Sequence, residues 1–277
     1  MIAVVMAGMA LLSYYGMREK NPITGETQAI GLSKEQEVAI GLQSAPQMAA
    51  EFGGLDPDES LQSDVAAIGQ KVVSSSRAKD TKYEFRFRVL ADRETVNAFA
   101  LPGGPIFITR ALLERLENEA QLAGVLGHEA GHVVGRHAAE RIAKSQLAQG
   151  LVGAVGVAAS DQAGHGQQAA QLAQLVSQVV QMRYGRDDEL QSDTLGVDFM
   201  SDAGYDPRAM LTVMEILRRA SGGAGGRAPE FLSTHPDPGN RQAVIQQAID
   251  KKFPGGPPAN LTMGRPITLG RSAAGPR

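Results

Sequence analysis

The sequence predicts a mostly helical α+β fold with a small β-sheet, and three observations carry that expectation. Long stretches of helical periodicity flank two short segments of strand character, at 83–89 and 105–109. Hydrophobic residues make up 43% and charged residues 21% of the 277, a globular balance sufficient for one well-buried core. No internal repeat is visible, which argues against a solenoid.

Taken in order, the chain opens with MIAVVMAGMALLSYYG, uncharged from Met1 to Gly16. The run is shorter than the roughly 20 residues that span a bilayer, and no basic residue precedes it as an export signal requires. A polar, turn-rich stretch follows, so 1–16 reads as a truncated or mis-started signal or membrane anchor and 17–32 as a linker. The folded body is expected over 33–250. Ser33 and Gln36 have the form of a capping box opening a first helix, and DESLQSDVAAIGQKVVSSS reads as a second. Tyr83, Phe85, Phe87 and Val89 alternate with Glu84, Arg86 and Arg88, the period of a half-buried strand. An extended segment from Asn97 to Leu101, a Pro-Gly-Gly turn and a strand from Pro105 to Thr109 come next. Asn118 and Gln121 fit a cap for a helix running through His128 and His132. Leu172, Leu175, Val176, Val179 and Val180 share a helical face that suits packed core, with a mobile lid or membrane-facing element as the alternative. Asp206 and Pro207 open a further helix, and 251–277 has the composition of an irregular or disordered tail.

A net charge of -3 without any basic run excludes a nucleic-acid surface. The absence of cysteine excludes thiolate chemistry and leaves His, Asp and Glu as metal ligands. His128 and His132 are four apart, so a helix stacks them on one face where two imidazoles grip one ion. Glu129 lies about 100° round that helix, off the metal but within reach of a water on it. Zinc with an open position needs a third protein ligand. Glu189 and Asp193, also one helical turn apart, supply one carboxylate for the ion and one for the free nitrogen of a histidine ligand.

In NAFALPGGPIFITRALL, HEAGHVVGRHAAER, ELQSD and STHPDPGNR, the chain resembles gluzincin zinc metallopeptidases related to the CAAX prenyl endopeptidase, HtpX and BepA. The likeness covers Ser33 to Asp250 with the motifs in family order. It implies a zincin-like fold whose sheet has an edge strand bordering the active site, and one zinc ion per chain held by His128, His132 and Glu189. It also implies that Asp193 backs a histidine ligand. Ser192 stands where such proteins commonly carry alanine. The membrane helices and tetratricopeptide repeats of other members are not seen, so a compact single-domain envelope form is expected, periplasmic or anchored facing the periplasm.

The reaction expected is endopeptidase hydrolysis of unfolded or misassembled proteins, with Glu129 as general base for the zinc-bound water. His235 and Arg241 are candidate catalytic donors to the oxyanion, and His235 could instead fill the open zinc position and hold the enzyme latent. The strand at 105–109 is expected to be an edge to which an extended polypeptide adds, with Asn97, Ala98, Phe99, Gly103, Gly104 and Ile106 as substrate contacts. Membrane attachment through the N-terminus is the further partner expected. His137, five residues past His132, reads as a structural or surface histidine, and His165 as solvated. The alternative is a chaperone-like substrate holder on the same scaffold, latent or weakly proteolytic; an intact Glu129 speaks against a pure binder.

Overall fold

A computed structural model describes residues 2–157, 184–221, 230–236 and 239–267 of the chain. The order is α1 (Ile2–Gly16), β1 (Arg18–Lys20), β2 (Thr27–Ala29), α2 (Lys34–Glu51), α3 (Glu59–Ser75) and a 3-10 turn (Arg77–Thr81). Then come β3 (Arg86–Leu90), β4 (Ala98–Ala100), β5 (Pro105–Thr109), α4 (Arg110–Leu113), α5 (Glu119–Val134) and α6 (His137–Val157). Last come α7 (Arg186–Asp202), α8 (Ala209–Ser221), α9 (Glu230–Thr234) and α10 (Arg241–Lys252). The helical face at 172–180 and His165 lie outside the described residues.

Local chemistry sets several boundaries where expected. Gln36 N donates to Ser33 Oγ at 3.3 Å and Ser33 N to Gln36 Oε1 at 2.8 Å, the reciprocal box that opens α2. Gln121 N donates to Asn118 Oδ1 at 3.1 Å and starts α5. Asp206 instead accepts from Arg208 N in a turn, so α8 begins at Ala209, two residues beyond Pro207.

The larger sheet has the order β3-β5-β4, with β3 parallel and β4 antiparallel to β5. Ile106, Ile108, Ala98 and Ala100 face the main core with α3 and α5, while Phe107, Phe99 and Leu90 face a second apolar cluster with α2 and α6. This order corrects one expectation: Pro105–Thr109 is the central strand, buried throughout, and has no free edge to offer a peptide. Ile106 is paired with both Phe87 and Ala100. Gly103 and Gly104 are also structural: at φ 77° and 125° they turn the chain against Val38 and the Glu84 carbonyl, where a Cβ would come within 2.5 Å. The edge that borders the core helix is β4.

α5 is the axis of the molecule, buried from Ala120 to Val134. Segments distant in sequence hold both its ends. Glu119 N and Ala120 N, two of the donors a helix start leaves unpaired, donate to Arg265 O and Met263 O at 3.0 Å each. At the other end, Asn21 Nδ2 donates to Val134 O at 2.8 Å and Gln28 Nε2 to Gly135 O at 2.7 Å. Residues 17–32, expected to be a linker, thus form the β1-β2 hairpin with Asn21 and Gln28 buried against α5. α1 lies along α6 with Ile2, Val4, Met9 and Leu12 exposed. Among the described residues no helix is long and apolar enough to cross a membrane.

Candidate metal centre

The site forms where α7 crosses α5. Small residues permit the approach: a side-chain carbon on Gly131 would lie 3.0 Å from Ser192 Cα, and one on Gly127 would lie 3.3 Å from the Gly196 carbonyl oxygen. At this spacing the carboxylates of α7 meet the imidazoles of α5. His128 Nε2 and His132 Nε2 are 3.1 Å apart, and each lies 3.4 Å from an oxygen of Glu189. His235, just past α9, enters from a third direction with Nδ1 at 3.1 Å from Glu189 Oε1. One ligand atom from each of His128, His132, Glu189 and His235 falls within a 4.8 Å span, and all four residues are buried.

A second layer backs these groups. His128 Nδ1 contacts Asp193 Oδ1 at 2.9 Å, the arrangement expected of a carboxylate behind a histidine ligand. Arg241 is not poised over an open site as an oxyanion donor. Its guanidinium forks onto Asp193, Nε to Oδ2 at 2.8 Å and Nη2 to Oδ1 at 2.7 Å, while Nη1 lies 3.2 Å from Glu189. That commitment makes Arg241 part of the scaffold behind the imidazoles. His132 Nδ1 has its own partner, His137 Nδ1 at 2.9 Å, and His137 Nε2 contacts Gln191 Oε1 at 2.8 Å. The Tyr184 ring stacks on His132 at 3.8 Å between centroids, and Phe231 stacks on His235 at 4.4 Å.

Sequence reading took His137 for a structural or surface histidine off the metal-facing stripe, whereas it is buried against His132, and it missed Tyr184. On a continued helix, His137 would leave the metal face; instead α5 ends at Val134 with Gly135 as its C-cap, and Arg136 takes φ 54°, which returns His137 to His132. Tyr184 stands immediately before the ELQSD helix, and its proximity to α5 is a tertiary fact. Of the expected substrate contacts, Asn97, Ala98 and Phe99 lie on or beside β4, all buried.

The electrostatics suit a cation. Burial opposes ionisation of Glu189, but His235 and the two α5 imidazoles outweigh it and hold its carboxyl well below the usual range. Burial likewise opposes, and Arg241 overrides, in Asp193, whose carboxyl is also lowered. His128 is raised to about 9: burial acts against its charge, but Asp193 and Glu189 prevail. His132 is driven well below its ordinary value by burial. Burial raises Glu129, whose two oxygens have no hydrogen-bond partner among the described residues; His235 Nε2, at 3.6 Å from Oε1, is too far. With the imidazoles neutral, as ligation needs, and Glu129, Glu189 and Asp193 ionised, three buried carboxylates stand against one guanidinium, and a divalent ion would offset the remaining two negative charges. Imidazoles with a carboxylate are a donor set that suits zinc.

The sequence is similar to known peptidases. The model of peptidase family M48 matches residues 59–249. The beta-barrel assembly-enhancing protease of Escherichia coli strain K12 is 30% identical over 266 residues, covering 92% of this chain and 52% of that protein. The mitochondrial metalloendopeptidase OMA1 of Schizosaccharomyces pombe is 30% identical over 242 residues, covering 84% of this chain and 67% of that one. The OMA1 of Arabidopsis thaliana is 33% identical over 194 residues, 64% of this chain and 36% of that protein. The chain thus spans about half the length of the bacterial relatives it matches.

Proposed function

The chain belongs to peptidase family M48, and from that premise we propose that it is a zinc-dependent endopeptidase in which His128, His132 and Glu189 hold the ion and Glu129 is the general base. The convergence of these three ligands beside a buried, unpartnered Glu129 carries the reading. Bound zinc supplies a Lewis acid for a peptide carbonyl and lowers the pKa of a water to about 7. Glu129 takes a proton at its carboxylate and delivers it to the departing amine nitrogen; burial, which raises its proton affinity, suits both transfers. Asp193, gripped by Arg241, holds the proton of His128 at Nδ1 and leaves Nε2 for the metal.

Substrate is proposed to be extended, unfolded polypeptide of the cell envelope, added to β4. Leu101 N and Asn97 O bond β5, so by the alternation of an antiparallel ladder the backbone groups of Ala98 and Ala100 face the other way, toward the site. That edge is covered here: Tyr184 Oη donates to Ala100 O at 3.4 Å and Phe231 N to Val96 O at 3.1 Å. With His235 as a fourth group in the cluster, the coverage favours a latent state in which His235 occupies the position substrate needs. The exposed apolar side chains of α1 support membrane attachment at the N-terminus.

The test measures zinc content of the purified chain and its digestion of an unfolded protein with and without chelator. One equivalent of zinc and chelator-sensitive cleavage are expected. Glu129→Gln should keep the zinc and lose about 10²–10⁴-fold in cleavage; undiminished cleavage would remove the assigned mechanism and leave room for a substrate holder with adventitious activity.

A further inference from the structure

The two histidines of α5 are backed differently. His128 rests on a carboxylate that is itself neutralised by Arg241, whereas His132 rests on another imidazole. We propose that His137 is a positioning residue for the metal centre, whose Nδ1 lone pair accepts the Nδ1–H of His132 and so commits His132 to ligation through Nε2. The inference rests on the zinc-site reading above.

Proton bookkeeping along the contacts leaves one consistent arrangement. Two ring nitrogens 2.9 Å apart share one hydrogen. If His132 Nε2 keeps its lone pair for the metal, its proton sits on Nδ1, and His137 Nδ1 must accept. The proton of His137 then lies on Nε2, which faces Gln191 Oε1 at 2.8 Å, an amide oxygen that only accepts. Every contact in the chain His132–His137–Gln191 has one donor and one acceptor. Ser192 Oγ, at 3.4 Å from the same Nδ1, is the longer neighbour. A carboxylate in place of His137 would also orient His132, but it would add a third uncompensated negative charge to a site built for a divalent ion.

The local fold is shaped around this ring. A Cβ at Gly135 would fall 2.3 Å from His137 Nε2, so the turn needs a residue without one. Arg136 holds its left-handed conformation through Glu37 Oε1 at 2.8 Å and Leu32 O at 2.9 Å. Gln191 and Ser192 sit on α7 between Glu189 and Asp193, so His137 ties the end of α5 to the helix that brings the carboxylates.

The experiment is zinc affinity of the full chain by competition with a chromogenic chelator, with unfolding of the zinc-free chain followed in parallel. His137→Leu, which removes the acceptor, should weaken zinc about 10–100-fold. His137→Gln, which keeps an acceptor oxygen, should recover much of that loss. Equal affinity of His137→Leu and the unaltered chain overturns the proposal and leaves the zinc site standing. Equal weakening in both variants also overturns it, since packing alone would then explain the loss. If His137→Leu does not fold, Gln191→Leu carries the test, a measurable loss supporting the proposal and unchanged affinity refuting it. An unaltered chain that takes up no stoichiometric zinc would instead sink the zinc-site reading on which the proposal stands.

Discussion

α5 and α1 are nearly equal in length, 16 and 15 residues, and both are rich in apolar side chains, yet one is the buried axis of the molecule and the other is largely exposed. The difference lies in their ends and faces. α5 has an asparagine cap, backbone partners from 263–265 at its start and side-chain partners from the β1-β2 hairpin at its finish. Its glycines let α7 approach to backbone contact. α1 has no acidic residue in its first turn and no basic one in its last, and it meets chiefly α6. Apolar content alone therefore does not choose which helix becomes the core; partnered ends and a shaped face do.

Substitutions on α1, on α5 and on the segments that hold α5 sharpen that contrast. The largest effect on stability is expected from Asp193→Asn, which strips a buried charge from Arg241 and His128 and should cost about 3–5 kcal/mol. Asp193 and Glu189 titrate below their unfolded values, so their contribution is complete above about pH 4 and fades as pH falls through the lower folded values. Denaturant midpoints measured from pH 7 to pH 3 should thus drop less steeply for the asparagine variant, and an identical acid slope would count against the pairing. Next comes Gly131→Val, which drives a side chain into Ser192 Cα and should cost about 1–3 kcal/mol, read from urea unfolding. A smaller cost is expected for Gln28→Ala, about 1–2 kcal/mol, because the Gly135 carbonyl loses its donor. Least affected should be Leu12→Asp on exposed α1, within about 0.5 kcal/mol of the unaltered chain but with weaker binding to anionic lipid vesicles. A large loss of stability there would show that α1 belongs to the core after all.

What the sequence made legible was local. Ser33 with Gln36 and Asn118 with Gln121 announce helix starts because their hydrogen bonds close within one turn. His128, His132, Glu189 and Asp193 could be placed on shared faces because helical periodicity is independent of the rest of the fold. The strand at 105–109 was readable in extent but not in position, since nothing within five residues says which neighbours it will have. His137 was hidden for the same reason: its return to His132 depends on a left-handed arginine held by Glu37, 99 residues away. The structural use of 17–32 was equally opaque, because Asn21 and Gln28 look like turn residues until the carbonyls they cap are known.

The clamp on the start of α5 bears on how the protein is made. Residues 263–265 leave the ribosome more than a hundred positions after Glu119, and the groups they pair are the first amides of the helix that carries His128 and His132. A nascent chain paused before that point holds both histidines but not the native contacts at the helix start. The start of the metal-binding helix is therefore closed by a long loop, at the ordinary entropic cost of distant pairing.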